Sequence, residues 1–345
     1  MYGDKGPLRY ASSNAHTNTE VTIYEFVKFF PEDLPNAAEA LINALLPQSF
    51  LHIDNEREAV DHELNGYKSP EEAFRKAINK RVNPEMDLYN PTLDERIFGL
   101  KKITVDDARK FWTKHYSPAN VFVYAVGNIS KVVPDLIKVL ESVPARENNS
   151  SPFLWPQRTF LKEPDLLEVP CLPSPTAKVV VTWSVPITIK NNLEDSIALM
   201  FLENILCSTS GPLYSRLRDK YGLCYKCGSS FSTDQTGTDF HVFAQTKYID
   251  ERLRIASEIQ NLLGVLGQDG LSADDIEQFK KTIKVNRLES VYEFDYNNFL
   301  GELKTGHSKE KTWDVADRMT GEFIHKVVKY LIDRPRLISV ALPLK

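Results

Sequence analysis

The sequence predicts an α+β protein of two pseudo-repeated domains, each an antiparallel-rich sheet covered by helices, the first lacking its initial strands and helices. Three observations lead there. Runs of alternating apolar residues are followed by amphipathic helical stretches in both halves of the 345 residues. A Pro/Asn/Ser-rich segment, VPARENNSSPFLWPQ at 143–157, separates two well-patterned regions and reads as a linker between domains at 1–142 and 158–345. Finally, SSNAHTNTEVTIYEF (Ser12 to Phe26) and SSFSTDQTGTDFHVF (Ser229 to Phe243) both run from Ser-Ser through a polar centre into alternating apolar residues.

Along the first domain, SSNAHT and the residues after it read as a strand, and EDLPNAAEALINALL (Glu32 to Leu46) has helical periodicity. A long helical pattern from about Asp54 to Val82 is broken only at Gly66 and Pro70. TVDDARKFWTKHY begins a helix at Thr104, whose hydroxyl suits an N-cap ahead of two acidic residues. SPANVFVYAVGNI then reads as a turn and a buried strand.

After the linker come strands in DLLEVP and AKVVVTWSVPI, a helix over NLEDSIALMFLENIL and a short one in GPLYSRLRDKYG. A hairpin over Cys224 to Thr246 follows, then helices in DERLRIASEIQNLLGVL and SADDIEQFKKTIKVNRLESVYEF. The chain closes with the helix GEFIHKVVKYLI and the strand RLISVALP. Laying the two Ser-Ser runs on each other sets Ser12 on Ser229, an offset of 217. The elements at about 158–228 then have no counterpart in the first domain, and the expectation is that two strands and two helices, roughly 60 residues, precede Met1 in the complete protein.

A net charge of −5 gives no reason to expect nucleic acid or an anionic membrane as partner. No apolar run approaches the roughly 20 residues of a membrane helix, and no targeting segment is visible, so a soluble protein of unspecified compartment is expected. Four cysteines do not make a disulfide framework. Cys224 and Cys227 form a C-x-x-C, but Cys171 and Cys207 do not supply a second pair at zinc spacing. Because residues three apart on a strand point to opposite faces, structural cysteines are the preferred reading.

Several stretches together resemble the pitrilysin/insulin-degrading (insulinase) family of zinc metallopeptidases, which includes bacterial and mitochondrial processing peptidases. SSNAHTNTEVTIYEF resembles a strand of that family, NEREAVDHELN its glutamate-bearing helix, ITVDDARKFWTKHYSPANVFVYAVGNI its helix–turn–strand, and GPLYSRLRDKYGLCYKCGSS the Arg/Tyr segment of its second domain. The resemblance covers essentially the whole chain. It implies a zinc-dependent endopeptidase acting on peptides or short unfolded segments, whose H-x-x-E-H motif supplies two zinc ligands and the general base. None of the seven histidines stands in that motif, so the resemblance places it upstream of Met1, and the chain as given cannot build the zinc site.

By the same resemblance, Glu63 is a zinc ligand and Glu56 its supporting carboxylate. Seven residues apart on a helix, they share one face, although the spacing also fits an ordinary solvated surface. Arg218 and Tyr225 match the family's substrate-positioning pair. Arg can grip a carbonyl or carboxylate, and a Tyr hydroxyl can donate to an oxyanion; an Arg in an ion pair and a half-buried Tyr fit the spacing too. Ser13, Asn14, Ala15 and His16 lie on the strand the family uses to bind substrate by strand addition, with His16 as a pocket-lining residue at most. The alternative function is a non-catalytic partner subunit that binds substrate or a partner chain, with homodimer and heterodimer both open.

Overall fold

The computed structural model describes residues 12–17, 21–27, 30–46, 49–50, 52–67, 69–87, 89–125, 127–145, 154–289 and 306–344. The chain divides into two compact units, Met1–Tyr67 with Tyr89–Leu154, and Lys68–Leu88 with Trp155–Lys345. The second unit therefore takes in a stretch, 68–88, that lies on the first side of the expected linker. Residues 146–153 of that linker lie outside the described residues.

In the first unit, β1 (Ser12–Thr17) and β2 (Thr22–Val27) form an antiparallel hairpin, the one sheet of this unit among the described residues. It is followed by α1 (Leu34–Ile42) and by α2 (Ile53–Gly66), which ends near the expected glycine. After the stretch contributed to the other unit come α4 (Leu93–Leu100), α5 (Val105–His115) and α6 (Val133–Glu141). Capping boxes start α4 and α5: Thr92 and Thr104 accept from the amides of Glu95 and Asp107, whose carboxylates accept from the capping residues' amides. The cores of this unit are small. Leu34, Ala38 and Leu136 join α1 to α6, while Leu64, Leu93 and Ile97 join α2 to α4.

The second unit opens with α3 (Glu72–Val82) and is built on a five-stranded sheet. Its strands are β3 (Asp165–Leu172), β4 (Ala177–Val185), β5 (Lys226–Thr233), β6 (Thr238–Thr246) and β7 (Arg336–Pro343), in spatial order β3-β7-β4-β6-β5. β3 runs parallel to β7 and the other neighbours are antiparallel. Three helices cover one face: α7 (Leu193–Cys207), α8 (Arg252–Asp269) and α11 (Gly321–Ile332), with α9 (Ala273–Glu289) and α10 (Lys309–Arg318) packed on α7. On the other face, Phe74, Ile78 and Val82 of α3 pack over Leu172, Val180, Leu337 and Ala341. Strands covered on both faces carry near-continuous apolar runs, as VVVTWSV in β4 does.

The repeat is visible in the hairpins, shifted by one residue from the sequence alignment. Thr17 pairs with Thr22 and Thr233 with Thr238, and in both hairpins the two hydroxyls are hydrogen-bonded at 3.1 Å. The structural offset is thus 216, and Ser12 falls on Gly228 rather than on Ser229. A strand register set by closing residues overrides a match of two serines, because one residue of slip exchanges the faces of the strand.

A second correction concerns SPANVFVYAVGNI. Pro118–Asn120 makes the expected turn, but residues 121–125 are extended without ladder partners among the described residues, and Val121, Phe122, Val123 and Tyr124 are exposed, Phe122 by 73%. At an offset of 216 this segment corresponds to β7, whose Leu337, Val340 and Ala341 are fully buried between β3 and β4. The expected buried strand is therefore neither a ladder strand nor buried among the described residues, because an apolar pattern does not by itself supply the neighbours that would cover it.

Candidate functional site

The candidate residues fall on three elements. The first is α2. Ile53, Arg57, Asp61 and Leu64 turn toward the rest of the unit, with Leu64 buried against α4 and Arg57 donating to Asp54 and to the carbonyl of Ile103, both at 2.6 Å. The neighbouring stripe is Glu56, Val60, Glu63 and Tyr67, all exposed. Glu56 and Glu63 project within about 20° of each other around the axis. Tyr67, one turn beyond Glu63, donates its hydroxyl to the Glu63 carboxylate at 3.3 Å. The stripe is solvent-exposed, with Val60 between the two carboxylates and Tyr67 beside Glu63.

The second element is β1. Ser12, Ser13, Asn14 and Ala15 are exposed and His16 is partly covered. β1 has one neighbour, β2, among the described residues, so its far edge offers a row of backbone donors and acceptors. On the face shared by Ala15 and its partner Tyr24, an apolar cavity of about 640 Å³ is lined by Tyr24, Phe50, Ile103, Asp107, Phe111 and Trp112, among others. Burial, together with the 2.9 Å bond to the Tyr116 hydroxyl, pushes the Tyr24 phenol well above its ordinary range.

The third element is the turn into β5. Pro212–Tyr214 starts a helix that widens to a π turn over Ser215–Lys220, a form often found at functional positions. Gly222 (φ +62°) then reverses the chain in a conformation that favours glycine, and the Leu223 amide bonds back to Leu217 at 2.8 Å. The reversal brings Tyr225 over Arg218: the guanidinium donates to the Tyr225 carbonyl at 3.3 Å and lies 5.8 Å from its ring centre. Arg218 also lies 4.9 Å from the ring of Tyr214, a residue to which sequence reasoning gave no role although its spacing of four from Arg218 on a helix is a usable signal. Tyr225 is 76% exposed, so its hydroxyl is open to a ligand.

Here the structure also corrects the expected strand placement of Cys224. Cys224 is buried and precedes the bend at Tyr225, whereas Cys227 lies within β5 and is partly covered; both are free thiols. The alternation of a regular strand does not apply across a bend.

Comparison with known proteins places the chain. The profile of the peptidase M16 inactive domain matches residues 102–283. The chain belongs to this insulinase/pitrilysin-like family. This M16 chain is 30% identical over 156 residues to the chloroplastic stromal processing peptidase of Arabidopsis thaliana, a match covering 41% of the chain and 12% of that protein, so the chain spans a small part of that relative's length. Its fold is similar to that of a protease from Helicobacter pylori, with a TM-score of 0.80 and 20% identity over 96% of this chain and 82% of the other. A peptidase M16 inactive domain from Pseudomonas fluorescens gives a TM-score of 0.77 and 14% identity over 97% and 82%. The M16 chain is an α+β peptidase-family protein, and no helix among its described residues is long and apolar enough to cross a membrane.

Zinc does not fit the described residues alone. No group of three His, Cys, Asp or Glu side chains among them is placed to hold a metal ion, and the α2 stripe offers Glu63 with Glu56 a turn and more away. A catalytic zinc needs three protein ligands.

Proposed function

We propose that this chain is the peptide-binding part of a zinc-dependent M16 endopeptidase, with Glu63 contributing one carboxylate to a metal whose remaining ligands come from a segment outside this sequence. The observation that carries the reading is a pair of incompletely covered apolar surfaces in the first unit. Ala108, Phe111, Trp112 and His115 on α5 stand, at the 216 offset, where Ile324, Val327, Val328 and Leu331 on α11 are buried against α7 and α8. α5 has no buried residue, and segment 121–125 has no ladder among the described residues. Both are patterned for a helix like α7 and strands like β3 and β4. Such a helix in the first unit would lie beside the sheet and could carry the missing ligands.

Internal symmetry also supports β1 as the peptide edge. In the second unit β6 pairs with β4 while β5, the counterpart of β1, stays at the edge. A strand like β4 would then take the outer side of β2 and leave β1 free. A peptide added there would be held through its backbone by Ser13, Asn14, Ala15 and His16, with affinity largely independent of its sequence. Arg218 would grip a substrate carbonyl or carboxylate, and the Tyr225 hydroxyl would donate to the same group. The ferredoxin protease whose complex with Arabidopsis ferredoxin is similar in fold (TM-score 0.69, 14% identity) supports protein-derived substrates as a class.

The test is expression of the protein from its full coding sequence, with bound zinc and cleavage of a quenched fluorescent peptide both measured. Expected are one zinc per chain and cleavage, both lost in Glu63→Gln and kept in Glu58→Gln. A second reading, a non-catalytic partner subunit, is favoured by the description of the matched profile as an inactive domain. Full-length protein that binds peptide but neither zinc nor cleaves would establish that reading instead.

A further inference from the structure

We propose that residues 68–88 are a clasp that holds the two halves of the chain together without the linker, so that a protein cut within 143–157 stays assembled. The segment belongs to the first half by sequence and to the second unit by contact. The chain enters it at 67/68 and leaves it at 88/89, and the linker crosses between the units again at 154/155. A cut in the linker therefore yields one piece that carries α3 and another that carries the five-stranded sheet on which α3 lies.

Three side chains spaced four apart seat the helix. Phe74, Ile78 and Val82 fall on one stripe of α3 and are buried against Leu172, Val180, Leu337 and Ala341 of β3, β4 and β7. Neither small core of the first unit includes a residue of 68–88 among the described residues. The apolar face of α3 is thus satisfied by the sheet of the second unit.

Polar contacts fix its direction. At the amino end Glu71 pairs with Lys178 of β4, and towards the carboxyl end Arg81 pairs with Asp165 of β3 at 2.6 Å. A reversed helix would set Glu71 towards Asp165 and Arg81 towards Lys178, like charge on like in both places. Beyond the helix, the Asn83 side-chain amide donates to Asp234 at 3.2 Å. Glu85 accepts from the Thr159 hydroxyl and, at 3.3 Å, from the Thr159 backbone amide. Lys76 reaches Asp87 at 2.8 Å and ties the turn Pro84–Asp87 back to α3. An apolar stripe supplies adhesion and paired charges supply register, as for a helix seated in a groove. The clasp depends on no role proposed above for Glu63, Arg218 or Tyr225.

The experiment replaces residues 146–152 of the protein, expressed from its full coding sequence, with the recognition site of a sequence-specific protease. The linker is cut to completion and the halves are followed by size exclusion at low micromolar concentration. Expected is co-elution at the volume of the uncut chain, with the amides of 74–82 exchanging as slowly as those of β4 and β7. Phe74→Asp combined with Ile78→Asp should release the halves. Arg81→Glu should weaken their association about three- to fivefold, and Asp165→Arg added to it should restore it. Separation of the unmutated halves, exchange of 74–82 as fast as that of α2, or co-elution that survives the double aspartate variant would overturn the proposal. Should that variant lose the protection of β4 and β7 before cutting, the charge exchange decides. No weakening by Arg81→Glu, or a weakening that Asp165→Arg leaves unrepaired, then overturns the clasp.

Discussion

The segment 121–125 and strand β7 are the same element of a repeat in two environments. Val121 corresponds to Leu337 and Tyr124 to Val340, yet the first pair is exposed by 38% and 44% while the second is fully buried. Both sequences are apolar. The difference is entirely in the neighbours: β7 lies between β3 and β4, and the earlier segment lies beside no strand among the described residues. The pair teaches that an apolar strand pattern specifies a surface to be buried and does not itself supply the burial.

The largest expected effect tests this directly. Leu337→Ala should lower the stability of the second unit by about 3–4 kcal/mol, and Val121→Ala that of the first by less than about 0.5, read from urea unfolding followed by hydrogen exchange in each unit. Equal losses would mean that the exposed segment is buried in solution. Next comes an ionic contact that only one hairpin has. Arg158, nearly inaccessible, pairs with Asp239 and lies 3.8 Å from Asp234, while the counterpart of Asp239 in the first hairpin is Ile23. Asp239→Asn should cost about 3 kcal/mol because it leaves a buried guanidinium short of a partner. Replacing Arg158 and Asp239 together by Met and Leu should recover much of that loss, and failure to recover would assign the damage to packing.

A smaller effect separates the two closing threonine pairs. Thr238 is buried and also donates to the Ile187 carbonyl at 2.6 Å, so Thr238→Val should cost about 1–2 kcal/mol; Thr22→Val, at a less covered position, should stay within about 0.5. The smallest is a pH effect. Burial lowers the affinity of His241 for a proton, as does Arg158, while Asp239 opposes them; the Thr182 hydroxyl is 2.9 Å from its Nδ1. With the folded value below the ordinary 6.5, the unfolded chain binds the proton first as pH falls. Stability of the second unit should therefore be complete above about pH 6.5 and decline below it. The counterpart residue in the first hairpin is Glu25, so the first unit should lack this contribution. Unfolding midpoints at pH 5.5 and 7.5, with and without His241→Gln, check the sign.

Much of the helical and strand order was legible because each element carries its own signal. Thr104 followed by Asp107 made a capping box, and NLEDSIALMFLENIL was read as a helix, which the structure places at Leu193–Cys207. α4, begun by Thr92 and Glu95, carried an equally readable box and was passed over. Arg218 and Tyr225 were singled out by the family resemblance, and their contact follows from a local reversal at Gly222. Less accessible was the start of β5: the strand begins at Lys226, so Cys224 lies outside it and strand alternation does not relate it to Cys227. Nor could spacing orient α2, since Glu56 and Glu63 share a face whichever way the helix rolls. Leu64, packing on Leu93 and Ile97, decides that the glutamates face out.

By itself the sequence determined the fold class, the repeat and the identity of the apolar faces, because periodicity and caps are set by residues a few positions apart. The tertiary structure alone decided the one-residue register of the repeat, the assignment of 68–88 to the second unit, and which apolar faces are covered. Those outcomes depend on contacts between residues far apart in the chain, which no local pattern encodes.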